Sequence, residues 1–193
     1  MLVYIAPITL NSTKIGETPP GYERSRGQYR GKTNRPMSNE EKAYIAGFLD
    51  GDGSIIAQLV ARKDYKLGYQ IRVSVVFYQK TSHQPHLLWL KKQLGFGYIR
   101  ARRDGMTEYT IVGLREVDHV LKLLYPFLRL KKELAREVLK IIKNHPAQRK
   151  MTKAQLISLS GLVDKTAAFN YSKKRTVTSA AVITFLERQD LSP

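Results

Sequence analysis

The chain has 193 residues, with 33 Lys and Arg against 16 Asp and Glu, for a net charge of +17. It has no cysteine, which excludes disulfide frameworks and thiolate metal sites, and no apolar run long enough to span a membrane. A field of that sign draws in polyanions, and the basic residues are spread along the chain rather than gathered on one amphipathic helix, which favours nucleic acid over an anionic membrane.

Residues 1–37 carry Gly16, Pro19, Pro20, Gly21, Gly27, Gly31 and Pro36 and a basic stretch from Arg24 to Arg35, with neither a helical nor a strand period. They read as a flexible basic leader, either an Arg-rich targeting sequence or a disordered tail upstream of Met37. Residues 38–193 form the expected folded domain.

Ser38-Asn39-Glu40-Glu41 fits the S-x-x-E capping box, so a helix starts here and runs through Leu49. Ala43, Ala46 and Gly47 fall at spacings of three and four, a small-residue face that lets a neighbouring helix come close. Two strand pairs follow, at 54–80 and 96–112. In 69–78, Ile71, Val73, Val75 and Phe77 alternate inward, while Gln70, Arg72, Ser74, Val76 and Tyr78 share the other face. Residues 54–62 pair with this strand through a turn at 63–68. Residues 98–102 put Tyr98, Arg100 and Arg102 on one face, and 107–112 return beside them. Helices are expected at 86–94, 114–124, 131–143, 151–170 and 178–188. The order is that of an α+β fold, one antiparallel sheet with helices on one face.

The outer sheet face offers Gln58, Arg62, Gln70, Arg72, Tyr98, Arg100 and Arg102, where a solvated face normally mixes both charge signs. Arg and Gln read guanine and adenine edges in the major groove, and a twisted antiparallel ribbon fits that groove. The plain alternative is a solvated polar face.

Asp50-Gly51-Asp52-Gly53 closes the first helix. Carboxylates there face the negative end of the helix dipole, a conflict that a hard cation would resolve. A structural Asp-Gly turn or a cap at Asp50 remains open. An EF-hand loop does not fit, because its sixth position is Ile55 and its twelfth Ala61. The four histidines show no metal-ligand spacing.

Residues 43–54, Ala43-Tyr44-Ile45-Ala46-Gly47-Phe48-Leu49-Asp50-Gly51-Asp52-Gly53-Ser54, resemble the motif of LAGLIDADG homing endonucleases. The resemblance covers most of residues 40–180 and includes Gln79-Lys80-Thr81, Gly97-Tyr98-Ile99-Arg100, Pro126-Phe127-Leu128-Arg129-Leu130-Lys131 and Ser172-Lys173-Lys174-Arg175. It is greatest to the single-motif, homodimeric members coded in group I introns of algal organelles. The chain holds one copy of the motif; the echo at Leu159-Ser160-Gly161-Leu162-Val163-Asp164 is followed by Lys165 where a second acid would be needed.

The resemblance implies the αββαββα homing-endonuclease fold with added C-terminal helices. It implies a homodimer through Ala43, Ala46 and Gly47, and a near-palindromic double-stranded DNA target cut on both strands to promote intron homing. It implies Mg²⁺ as cofactor, with Mn²⁺ as a substitute, and location in a chloroplast or mitochondrion. Asp52 becomes the essential metal ligand together with the Gly51 carbonyl, whereas the position of Asp50 in this family more often supports the helix end. Gln79 and Lys131 become the residues that order water and stabilise charge at the scissile phosphate. Without the resemblance they read as a strand-end Gln and a solvated Lys. Base readout is implied for Ile56, Gln58, Val60, Arg62, Gln70, Arg72, Val76, Arg100 and Arg102. Phosphate contacts are implied for Lys80, Ser172, Lys173, Lys174 and Arg175, the last three of which also fit a solvated charge run. A non-cleaving DNA-binding or intron RNA-splicing protein of the same fold is the second reading. The retained Asp52, Gln79 and Lys131 favour the enzyme.

Overall fold

The computed structural model describes residues 36–146, 150–169 and 177–190. The expected leader as far as residue 35, and Ser172, Lys173, Lys174 and Arg175, lie outside the described residues.

The first helix, α1 (Asn39–Asp52), starts at the expected capping box. The Glu41 N–H donates to Ser38 Oγ at 3.3 Å, and the Ser38 N–H donates to the Glu41 carboxylate at 2.8 Å. At its other end the Gly53 N–H caps onto the Leu49 carbonyl, and the chain passes directly into β1 (Gly53–Ala61). A Cβ on Gly53 would lie 2.6 Å from Leu49 Cδ1 and 2.9 Å from the Leu49 backbone, so this helix-to-strand corner requires glycine.

β2 (Tyr69–Lys80) follows, then a 3₁₀ turn (Thr81–His83), α2 (Gln84–Leu94), β3 (Tyr98–Ala101), β4 (Met106–Val112), α3 (Leu114–Leu124) and α4 (Lys132–Asn144). α5 (Lys153–Lys165), a second 3₁₀ turn (Thr166–Phe169) and α6 (Ser179–Asp190) complete the described chain. These agree with the expected elements to within a few residues. α5 has its own capping box, Thr152 with Gln155, which the sequence reading passed over.

The four strands form one antiparallel sheet in the order β1-β2-β4-β3. Register places Ile55 opposite Val75, Ala57 opposite Val73, Leu59 opposite Ile71 and Phe77 opposite Tyr109. All of these are buried against Ile45, Ala46 and Leu49 of α1, Leu87 and Leu90 of α2, Val117, Leu121 and Leu124 of α3, and Val138 and Ile141 of α4. An aromatic stack crosses this interface: Phe48 on Phe77 at 5.7 Å and Phe77 on Tyr109 at 5.8 Å between centroids, each pair within 14° of parallel. Tyr109 is fully buried and donates from its hydroxyl to the Phe96 carbonyl at 2.7 Å. Beside that carbonyl, Gly97 has φ +77°, and a Cβ there would sit 2.2 Å from the Thr110 carbonyl oxygen.

Among the described residues the helices pack on the inner face, and the opposite sheet face carries the exposed Gln58, Arg72 and Arg100.

Candidate functional site

Asp50 and Asp52 are two residues apart, yet they meet different surroundings. Asp50 is 8% exposed and Asp52 is exposed. The Asp50 carboxylate is filled by the backbone of the α3–α4 loop. Its Oδ2 accepts from the Arg129 N–H at 2.7 Å and the Leu130 N–H at 3.2 Å, and its Oδ1 accepts from the Lys131 N–H at 2.9 Å. Sequence reasoning sets both aspartates against the C-terminal dipole of α1. The structure turns Asp50 instead into three peptide N–H groups that lead into the N-terminus of α4, where negative charge is stabilised. Asp50 is therefore a structural pin, both of its oxygens engaged by the backbone of the α3–α4 loop.

The pin delivers Lys131. Its ammonium donates to the Asp50 backbone carbonyl, and both Asp50 and Asp52 act on its charge. Burial pulls the Lys131 ammonium below the ordinary lysine value, and the two carboxylates work against that fall. From β2, Gln79 reaches the same place, with Nε2 3.5 Å from Asp52 Oδ2. On its other side, Gln79 Oε1 is 3.4 Å from His83 Nδ1. Asp52, Gln79 and Lys131, separated by 79 positions, are thus brought together, and His83 joins them through Gln79. His83 carries no signal in the sequence beyond its position four after Gln79.

Among the described residues no three His, Asp or Glu side chains cluster as a metal cage. Asp52 with the neighbouring Gly51 carbonyl does fit a hard cation of the Mg²⁺ type, which is often held by one or two carboxylates plus substrate phosphates. Gly51 is exposed, and a Cβ there would meet no atom within 4 Å, so the acid's surroundings are open to a ligand.

The outer sheet face holds the expected residues in register: Ile56 opposite Ser74, Gln58 opposite Arg72, Val60 opposite Gln70, and Arg100 opposite Glu108. Arg102 lies one residue past β3, its N–H still laddered to the Met106 carbonyl at 2.7 Å. Lys80 is exposed at the end of β2. Two expectations are corrected. Val76 is only 5% exposed, because it sits on the central strand between Ser54 and Thr110, so it offers a base little surface. The face is also not of one sign. Glu108, 8% exposed, bonds Arg100 at 2.8 Å, Asp64 bonds Arg62, and Asp104 bonds Arg102 at 2.7 Å. Glu108 was legible in principle, since it alternates with the inward Tyr109.

The small-residue face of α1 is likewise corrected. Ala43 and Gly47 are exposed, but Ala46 is fully buried in the protomer's own core. The exposed stripe is instead Glu40, Ala43, Tyr44, Gly47 and Gly51, with a Cβ on Gly47 or Gly51 meeting open space. Leu130, 80% exposed beside the C-terminal end of α1, was missed and belongs to the same side through its N–H bond to Asp50.

Residues 45–145 match the LAGLIDADG endonuclease family. The chain is 41% identical over 140 residues to the DNA endonuclease I-CvuI of Chlorella vulgaris, covering 72% of this chain and 86% of that protein. It is 36% identical over 154 residues to the DNA endonuclease I-CreI of Chlamydomonas reinhardtii, covering 80% and 93%. The crystal structure of the homing endonuclease I-CvuI in complex with its target in the presence of Ca is matched at a TM-score of 0.74 and 39% identity, over 78% of this chain and 95% of that one. An archaeal intron-encoded homing endonuclease, I-Vdi141I complexed with DNA, shares the fold at a TM-score of 0.70 and 19% identity, over 79% of this chain and 98% of that one.

Proposed function

This chain belongs to the LAGLIDADG endonuclease family, and on that premise we propose that it is a site-specific homing endonuclease acting on double-stranded DNA as a homodimer. The carrying observation is the convergence of Lys131 and Gln79 on the exposed Asp52, at the edge of a sheet face bearing Gln58, Arg62, Gln70, Arg72, Arg100 and Arg102.

In this reading Asp52 and the Gly51 carbonyl hold the catalytic Mg²⁺, with Mn²⁺ able to substitute. A metal bound there would supply an activated water and neutralise charge at the phosphate. Lys131, whose charge Asp50 and Asp52 support against burial, stabilises the charge that develops on the scissile phosphate. Gln79, bonded to Asp52 and His83, orders the attacking water. Asp50 takes no part in the chemistry and positions Lys131. One protomer supplies one Asp52, so cutting both strands needs two copies, packed through the exposed stripe at Ala43, Tyr44 and Gly47 with Leu130 alongside. The symmetry makes the target near-palindromic. Lys80, Ser172, Lys173, Lys174 and Arg175 would contact the DNA phosphates. Residues 1–35 would serve as a leader, while Met37 already packs against the core of the domain, and the relatives from Chlorella and Chlamydomonas support work in an organelle on an intron-homing target.

Incubation of the intact protein with a randomised duplex library and Mg²⁺ tests this reading. Discrete double-strand cleavage is expected, lost in Asp52→Asn while DNA binding persists. Binding without cleavage by the intact protein would favour an RNA-splicing or other non-cleaving role, and a monomer on DNA would overturn the two-fold site.

A further inference from the structure

The two hairpin ends of the outer face carry the same three-residue pattern. Arg62-Lys63-Asp64 leaves β1 and Arg102-Arg103-Asp104 leaves β3, each running into a turn with a positive-φ glycine, Gly68 or Gly105. In both, the Arg N–H closes the turn, onto the Gly68 or the Met106 carbonyl at 2.7 Å, and the Asp two residues on takes the Arg side chain.

At the first tip the contact is bidentate. Arg62 Nε donates to Asp64 Oδ1 at 2.8 Å and Nη2 donates to Oδ2 at 2.6 Å. The guanidinium carbon stands 5.3 Å from the centre of the Tyr65 ring. One edge and one face of the guanidinium are therefore held by its own hairpin. A guanidinium has five N–H donors, and this arrangement spends two. It leaves the outer Nη1/Nη2 edge, two parallel donors that match O6 and N7 of guanine. At the second tip Asp104 is itself fixed, because its Oδ1 accepts from the Met106 N–H at 3.2 Å.

We propose that Asp64 is a specificity-determining residue that acts through Arg62, converting it from a phosphate-binding cation into a guanine reader, and that Asp104 does the same for Arg102. Two effects combine. The acid cancels the charge that would draw Arg62 to any phosphate, which is contact without sequence information. It also fixes the plane of the fork before DNA arrives, so the geometric demand of a base edge is met without ordering a long side chain. A lone Arg at a flexible tip would have neither property. The proposal rests on the reading of this face as the DNA surface.

Binding selection on a randomised duplex library, followed by affinity measurement for each single-base variant of the selected site, tests it. For the intact protein a guanine preference is expected at one base pair per half-site for Arg62. Asp64→Ala is expected to reduce that preference about tenfold, the scale of one bidentate contact, while leaving the other positions alone. It should also steepen the salt dependence of binding by about one counterion per protomer, as the freed Arg62 finds a phosphate. In an Arg62→Ala background, Asp64→Ala should change neither quantity. Asp64→Ala with unchanged preferences, with all positions loosened alike, or with the same effect in the absence of Arg62, overturns the proposal while the DNA-binding reading stands. Failure of the intact protein to bind any duplex removes that reading itself.

Discussion

Asp50→Asn separates the two aspartates of the motif. Asp50 is almost completely buried and its two oxygens take three peptide N–H groups. An amide keeps one acceptor oxygen. If that oxygen stays on the Arg129 and Leu130 N–H groups, the NH₂ group faces the Lys131 N–H, donor against donor. Bonds to a charged group contribute about 1.5–3 kcal/mol each and neutral ones roughly half that, so one bond lost and two weakened lower stability by about 2–4 kcal/mol after the loop relaxes. With a urea dependence of about 1–3 kcal/mol per molar, the unfolding midpoint falls by roughly 1–4 M. Measurements belong at one protein concentration, since dimerisation adds to apparent stability. Cleavage should fall as well, because the same loop carries Lys131, which keeps only its bond to the residue 50 carbonyl. Asp52→Asn is the control: an exposed side chain whose replacement changes stability by no more than about 0.5 kcal/mol yet abolishes cutting. The reasoning fails if Asp50→Asn unfolds at the wild-type midpoint, or if Asp52→Asn loses as much stability.

Tyr109→Phe leaves the Phe96 carbonyl unsatisfied at the end of the aromatic stack, and denaturant unfolding should show a loss of about 1–3 kcal/mol with the sheet intact by circular dichroism. Gly97→Ala places a methyl 2.2 Å from the Thr110 carbonyl at φ +77°, so β3 must move; a loss of at least about 2 kcal/mol and weaker DNA binding through Arg100 are expected, and wild-type values for both would refute the close approach. Burial holds the His145 pKa below the ordinary histidine value, against the opposing pull of its contact with the Pro146 backbone. The unfolded chain therefore takes up the proton first, so His145 supports the fold fully above pH about 6.5 and loses that support as pH falls from there through the folded value. The melting temperature of His145→Gln should drop less between pH 7 and 5.5 than that of the parent; equal drops would contradict it.

Local signals carried most of the fold. The capping box at Ser38, the alternation of Ile71, Val73, Val75 and Phe77, and the turn glycines act over a few residues, so the elements could be read in order and the register followed from which face was apolar. The site was legible through the motif and its resemblance, but its internal division was not. Asp50 and Asp52 look equivalent in sequence because the groups that tell them apart lie 79 to 81 residues downstream. Ala46 was misdirected for a different reason: a methyl side chain suits a core as well as an interface, and its direction is set by where Ile45 and Leu49 bury. Val76 alternates correctly but sits on a central strand, and strand order is a long-range property. The ion pairs on the outer face escaped notice because each was seen as an Arg and never as an Arg with its acid.

The reach of Asp50 also bears on how the protein is made. The chain emerges from the ribosome with the acidic motif complete at residue 53, but the loop that Asp50 grips, and the lysine that loop delivers, appear only at residues 129–131. A nascent or truncated polypeptide ending before that point carries both aspartates of the motif and lacks the loop and the lysine that Asp50 holds. In the proposed reading, cutting is thereby withheld until residue 131 has been synthesised and folded back on α1.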